Sequence, residues 1–425
     1  MADSAISGSP APAPAGAGER PSAVAAFLRP LRGRRFRLLV AGQTLSTFGD
    51  FLFIVAFPFL VFAGQVGVGG LGLVLTLLGI ARLVATPLGG ILADRWHPRV
   101  TMLAADIARG AVLVWLADTI RSGRVPLWEF GIVALVIGAL EGLFIPAYRA
   151  ITPAVLPEAH VRAGYSVGEA LNVTAAIAGQ LVAGVALAAF GPSAVINIDV
   201  GTFAVSALTL VAMGGSRARA GRPAEGDAAP ATVTLRGFVM RSRLFLIILL
   251  MTGMVSVTAA GLFAVGLPVL ARQHFSRGAE VYGILLVAMA IGRLAGSMAA
   301  GVLIGTRRRG LITLILLMVH GSVLAAVPVL GGLPALLPAL AILGLADGTL
   351  AVVVVTLTQQ LTPPEILGRS MGALTLVQTG SFPVSVALAG LFVSSFGVTA
   401  VFVAGGAGVL VIALLGFTQR VVRDG

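Results

Sequence analysis

The chain has 425 residues, of which 57% are hydrophobic and only 11% charged, and its mean hydropathy is +1.01. A typical soluble domain carries about 25% charge, so a water-soluble enzyme is the wrong class, while this apolar stock suffices for about twelve spans of roughly 20 residues each. The formal net charge of +12 comes from 29 basic and 17 acidic residues, and every basic residue apart from the four histidines is arginine.

In a soluble protein such a charge would suggest nucleic acid. Here the arginines flank apolar runs, so they read as determinants of membrane orientation, with the lipid bilayer and not nucleic acid as the partner. The runs are continuous over 18 to 25 residues, which excludes a transmembrane β-barrel and predicts an all-α membrane protein. The absence of cysteine rules out disulfides, thiolate metal sites and cysteine catalysis. His97, His160, His274 and His320 show no ligand spacing, so no metal site is expected.

In chain order, residues 1–28 are Ala, Pro, Gly and Ser with little to bury, and predict a disordered tail. Six spans follow near 37–63, 70–93, 100–120, 126–148, 164–189 and 193–213, giving an N-terminal unit over 29–213. A polar, Ala/Pro/Gly-rich stretch over 214–243 reads as a linker. Six more spans lie near 244–271, 280–304, 310–330, 334–359, 370–395 and 398–417, giving a second unit over 244–417 and a short tail over 418–425. With the N-terminus placed inside, the inner segments hold 22 arginines and the outer loops four, Arg121, Arg124, Arg272 and Arg277. That asymmetry predicts two cytoplasmic termini.

The two units repeat each other. Ile80-Ala81-Arg82-Leu83, with Gly90 and Leu92 behind it, recurs as Ile291-Gly292-Arg293-Leu294, Gly301 and Leu303. Pro157-Glu158 with Arg162 recurs as Pro364-Glu365 with Arg369, and Pro58 parallels Pro268. Two six-helix repeats about an axis along the membrane normal follow, with a cavity between them. Pro58, Pro87, Pro268 and Pro383 are candidate bends where a rocking motion needs compliance.

Between the second and third spans, Gly90, Asp94, Arg95 and Arg99 combine a small residue with an acid and two bases in one short turn. Physically these can form a latch, with Arg369 as its member in the second half: Gly90 allows close helix approach, Asp94 lies against a helix N-terminus, and Arg95 and Arg99 hold carboxylates or lipid phosphates. The alternative is a plain basic loop. This Gly-x-x-x-Asp-Arg-x-x-x-Arg pattern resembles the loop 2–3 signature of the major facilitator superfamily, and the twelve-span, two-repeat layout is similar to that fold along the whole chain after the tail. Phe36-Arg37-Leu38-Leu39, Gly42-Gln43, Gly49-Asp50, Phe144-Ile145-Pro146-Ala147, Leu156-Pro157-Glu158, Pro363-Pro364-Glu365 and Gly368-Arg369 resemble the drug:proton antiporter group that includes macrolide-efflux and enterobactin-export proteins.

Some positions depart from the pattern. His97 stands where the loop signature has glycine, and Gly305 replaces an acid in the second-half counterpart. The fifth span lacks the Gly-Pro step of the antiporter motif, and Gly138 stands where related exporters carry a relay arginine before Glu141.

A charge near the bilayer centre costs at least about 2.5–3.5 kcal/mol, so each one needs a partner, a cavity or a proton. Asp50 lies roughly 18 Å along its helix from the inner end. Gln43, Ser46, Thr47 and Asp50 share one stripe at i, i+3, i+4 and i+7. The resemblance implies that the first, fourth, seventh and tenth spans line the cavity, which places Asp50, Glu141 and Asp347 there. Gln43, Thr47 and Gln378 join them as substrate-cavity candidates. Arg82 is the expected counter-ion of the two N-terminal acids, and Arg293 is its repeat equivalent.

Asp106 and Arg109, at i and i+3, read as a structural pair, and Asp199 as structural too. Six acids within the spans, Asp50, Asp106, Glu141, Glu169, Asp199 and Asp347, against the three bases Arg82, Arg109 and Arg293 leave some carboxylates without an ionic partner, and a carboxylate held out of water can take a proton near neutral pH. His320 reads as a satisfied packing residue.

These readings converge on a proton-coupled exporter of a bulky amphipathic small molecule, of drug, macrolide or siderophore type. It would sit in a bacterial plasma membrane, work as a monomer and need no cofactor beyond the proton gradient. Export itself is what the resemblance implies. Proton-coupled uptake is the alternative, followed by a non-transporting receptor of the same fold. No nucleophile–base set or cofactor motif supports an enzyme.

Overall fold

The computed structural model describes residues 27–123, 125–214, 235–303 and 309–419. Residues 1–26 of the expected N-terminal tail, 215–234 of the expected linker and 420–425 of the expected C-terminal tail fall outside the described residues, as do Arg307 and Arg308 and the Asp94 side chain; the described part of the linker includes a short helix, Leu235–Arg241. The described chain is helical throughout, and ten of its helices are long and apolar enough to cross a membrane.

The first four are α1 (Arg34–Ala63), α2 (Gly67–Arg95), α3 (Pro98–Arg121) and α4 (Leu127–Ala154). The next, Glu158–Ala212, runs for 55 residues, or roughly 80 Å if straight, against a hydrocarbon core of about 30 Å. It is not straight. Gly191 stands at φ 76°, a left-handed backbone that glycine adopts without steric cost, and separates α5 (158–190) from α6 (192–212). Both arms meet α1 at one level: Gly179 packs on the Phe48 carbonyl, and Gly49 packs on Asp199 and Thr202. The two arms therefore form a hairpin.

The second half repeats this plan. α7 (Arg243–His274), α8 (Gly278–Leu303), α9 (Arg309–Ala326) and α10 (Leu333–Leu361) lead to Leu367–Thr418, which turns at Gly397, φ 83°, into α11 (367–396) and α12 (398–418). Ser385 and Gly405, on either side of that turn, both pack at the level of Gly261 and Leu262 in α7. Divided at these glycines, the two long segments bring the membrane-length helical segments among the described residues to twelve.

Local chemistry sets several boundaries. His97 caps α3 by accepting from the Arg99 amide, with Pro98 at the first helical position, where its missing N–H costs nothing. α7 departs from the single regular helix expected over 244–271, because Leu262–Gly266 forms a π-turn. Pro268 follows; it removes the N–H that would bond the Ala264 carbonyl and crowds that carbonyl, so the backbone widens just before it.

The close crossings are built on glycine. In the N-terminal half Gly138 lies on the Leu78 carbonyl and Gly142 on the Arg82 carbonyl; in the C-terminal half Gly344 lies on the Met289 carbonyl and Gly348 on the Arg293 carbonyl. These are the same α2–α4 and α8–α10 contacts, repeated. The halves meet where α2 packs on α11 and α5 on α8. Gly72 faces Gly390, Gly184 faces Ala279 and Glu280, and Gly283 faces the Gln180 carbonyl. All three contacts lie toward the end of the bundle away from the two termini, called here the far end. There Arg272 also stacks on the Phe62 ring, 4.9 Å from its centroid.

Candidate functional site

The α2–α4 crossing explains the first charged pair. Because Gly142 has no side chain, α4 approaches the Arg82 backbone, and the neighbouring Glu141 meets the Arg82 guanidinium at 3.4 Å. The second half does the same with Gly348 and Asp347, which meets Arg293 at 3.4 Å. A signal for this was present in the sequence: an acid directly before the second glycine of Gly-x-x-x-Gly, in Glu141-Gly142 and again in Asp347-Gly348.

Asp50 is held differently from the expectation. Its ion-pair partner is Arg109, at 3.6 Å, while Arg82 goes to Glu141. Arg109 also meets Asp106 at 3.4 Å, so Asp106 and Arg109 are not an isolated structural pair but part of the Asp50 centre. The Arg109 side chain is 2% exposed and lies between the rings of Phe144 and Phe203, 4.5 and 4.8 Å from their centroids. Two aromatic faces partly replace the water that a buried guanidinium loses. Ser206 donates to Asp106 at 2.7 Å, and Thr202 donates to Asp199 at 3.1 Å. Asp199, read from sequence as structural, stands beside Gly49 within this centre.

These groups face a cavity of about 200 Å³, lined by Asp50, Arg82, Glu141 and Asp199 among apolar walls including Phe57, Phe203, Tyr282 and Phe382. A larger cavity of about 450 Å³ occupies the C-terminal half. It runs from Leu244 and Gly310, near the terminus-bearing end, up to Phe263 and Phe382, and it contains Arg293, Asp347 and Gln378. Its walls are mostly apolar, with few polar groups, the usual make-up of a small-molecule pocket of 300–1,000 Å³.

The remaining expected residues divide. Gln43 donates to Thr47 at 3.3 Å, and Thr47 donates to the side-chain amide oxygen Oδ1 of Asn172 at 3.4 Å. That chain brings in Asn172, which the α1 stripe alone does not reveal, and it does not reach the lining of the acid cavity. Of the latch, Arg99 holds no carboxylate among the described residues and instead donates to the Leu210 and Val211 carbonyls at 2.6 and 3.1 Å. Those carbonyls lie in the last turn of α6, at the negative end of the helix dipole, where a cation is favoured. Gly90 has open space where a close approach was expected, and Arg95 and Arg369 are exposed. His320 is buried with neither ring nitrogen hydrogen bonded, contrary to the satisfied packing role expected of it.

Comparison with known proteins agrees with this architecture. The sequence matches the family model described as Major Facilitator Superfamily over residues 39–276 and 249–424. The multidrug efflux pump Tap of Mycobacterium tuberculosis (strain ATCC 25618 / H37Rv) is 28% identical over 391 residues, covering 88% of this chain and 90% of that protein. Macrolide efflux protein A of Streptococcus pyogenes is 25% identical over 399 residues, covering 90% and 95%. The crystal structure of the nucleoside transporter NupG superposes with a TM-score of 0.72 at 13% identity, covering 90% of this chain and 98% of that one, which is a likeness of fold. With helical repeats, inter-repeat seams and family match in agreement, the chain belongs to the major facilitator superfamily and is a multi-pass membrane protein.

Proposed function

We propose that this chain is a proton-coupled exporter of bulky, amphipathic small molecules, cationic ones above all, working by alternating access. The observation that carries the reading is the acid cavity. Asp50, Asp199 and Glu141 line one space with Arg82, while the other neighbouring cation, Arg109, is shared between Asp50 and Asp106. More carboxylates than cations in a water-poor interior require bound protons or a bound cation to balance them. Two relatives that match nearly end to end carry the names multidrug efflux pump and macrolide efflux protein, which supports efflux over uptake.

The terminus-bearing end faces the cytoplasm in this reading, supported by the 22-to-4 arginine asymmetry. The close glycine contacts at the far end then describe a state open to the cytoplasm. A substrate enters the C-terminal cavity, where Asp347 and Gln378 offer acceptors and the walls offer apolar surface. Protons arriving from outside bind at Asp50. A proton on Asp50 breaks its pair with Arg109, leaving that cation to Asp106. Exchange of proton for substrate is then linked to rocking of the halves about the α2–α11 and α5–α8 seams. The Arg99 contact to the end of α6 fixes α3 within its own half, so that half moves as a unit.

The test uses inside-out vesicles, with ethidium as the probe. Ethidium accumulation should depend on the imposed proton gradient and vanish with an uncoupler. Asp50→Asn should abolish it while membrane levels of protein stay normal. Accumulation that survives the uncoupler would reject proton coupling, and full activity of Asp50→Asn would remove Asp50 from the mechanism.

A further inference from the structure

Among the described residues, the linings of the two cavities share one side chain, Phe382. It stands on α11 where that helix leaves its own half to meet α2, and neighbouring contacts fix its position. Ser381 donates to the Val377 carbonyl at 2.6 Å. Ser385 donates to the Val257 carbonyl and accepts from the Gly261 amide, both at 2.6 Å, which ties α11 to α7 just before the π-turn. Across the seam, the Pro383 carbonyl lies 3.5 Å from the Thr76 hydroxyl. A Cβ on Gly79 would come within 2.9 Å of the Phe382 ring and 3.1 Å of Pro383, so the absence of a side chain at Gly79 is what lets the ring lie against α2.

We propose that the ring of Phe382 is the wall between the acid cavity and the C-terminal cavity, and thereby the residue that sets the largest molecule this transporter accepts. The inference rests on the reading of the C-terminal cavity as the substrate site. On one side of the ring lies a space of about 200 Å³, below the usual size of a small-molecule pocket; on the other lies about 450 Å³, within it. Substrate length is therefore limited where the larger space meets the ring. Shortening the side chain joins the two spaces and lets a longer molecule extend toward Asp50 and Glu141. A broader side chain leaves the acids untouched and shortens the larger cavity.

The experiment measures binding of a graded series, tetraethyl- to tetrahexylammonium and tetraphenylphosphonium, to purified protein in lipid nanodiscs. Affinity in the unaltered protein should peak at an intermediate member. Phe382→Ala and the milder Phe382→Leu should move the peak to longer members, changing the affinity ratio of largest to smallest by about tenfold or more, the scale on which pockets sense one or two methylenes. Phe382→Trp should move it the other way. Phe382→Leu keeps most of the packing, so a loss of fold in Phe382→Ala does not remove the test. An unchanged order of affinity in Phe382→Leu and Phe382→Trp would overturn the proposal and leave the cavity reading intact. Absence of binding by every member to every form would overturn the substrate reading and this inference with it.

Discussion

The far-end seam makes a quantitative prediction about which state the protein prefers. A Cβ placed on Gly72 would lie 2.7 Å from the Gly390 Cα and 3.1 Å from the Val386 carbonyl oxygen. Carbon atoms rest at about 3.5–4.0 Å, so in Gly72→Val the two helices must part by about 1 Å at that point, or the halves must rock away from the seam. Overpacking of this kind costs about 1–3 kcal/mol. If the cost falls only on the state with the far end closed, the ratio of the two states shifts by roughly 5- to 150-fold. The chain has no cysteine, so a single introduced thiol reports without background. Gln180 is buried, its carbonyl lies under Gly283, and it shares a face of α5, at i and i+4, with Gly184, which packs on Glu280 across the α5–α8 seam. In Gln180→Cys, the rate of labelling by a water-soluble maleimide should rise at least severalfold when Gly72→Val is added. Gly201→Val, where no atom lies within 4 Å of the added carbon, is the matched control and should leave the rate alone. Equal rates with and without Gly72→Val would refute the argument; a rise in the control as well would show general loosening instead of a shift between states.

Two further outcomes follow from the ion pairs. Arg109→Met should destabilise the protein by about 3–5 kcal/mol, because it strands the fully buried Asp106 beside Asp50; adding Asp106→Asn should recover part of the loss in thermal unfolding, and a double variant no better than the single would refute the shared-cation picture. Arg293→Asp and Asp347→Arg should each abolish ethidium transport, while the double exchange, which restores opposite charges across the glycine crossing, should restore it in part; singles with full activity would show that the pair is dispensable.

The spans were legible because a bilayer requires long unbroken apolar runs, and their arginine flanks marked the ends. The hairpin turns at Gly191 and Gly397 were legible as short gaps between runs, although their left-handed backbone leaves no mark in a hydropathy pattern. The Arg82–Glu141 and Arg293–Asp347 pairs were half visible. All four residues stood out as charges in apolar runs, but Arg82 was also assigned to Asp50, since spacing along one helix says nothing about which neighbour it faces. Arg109 shows why. Its pairing with Asp106 is local, at i and i+3, and so was readable; its pairing with Asp50 depends on how α1 and α3 are placed by the glycines of α1, which pack on α6. Phe382 was invisible for the same reason: one phenylalanine among 21, its place between two cavities is a property of the assembled halves.

The two repeats keep one scaffold and have diverged in charge. Both bring an arginine and an acid together over a glycine crossing, at Arg82–Glu141 and Arg293–Asp347. Among the described residues, only the N-terminal half adds Asp50, Asp106 and Asp199 around a single further cation, Arg109. A half with surplus acid can respond to protons but has little room, about 200 Å³; a half with one balanced pair has more than twice the space and mostly apolar walls. In the proposed mechanism, proton binding and substrate binding therefore need not compete for the same atoms; the seam where α2 meets α11 would link them, because movement of one half against the other would alter both cavities at Phe382.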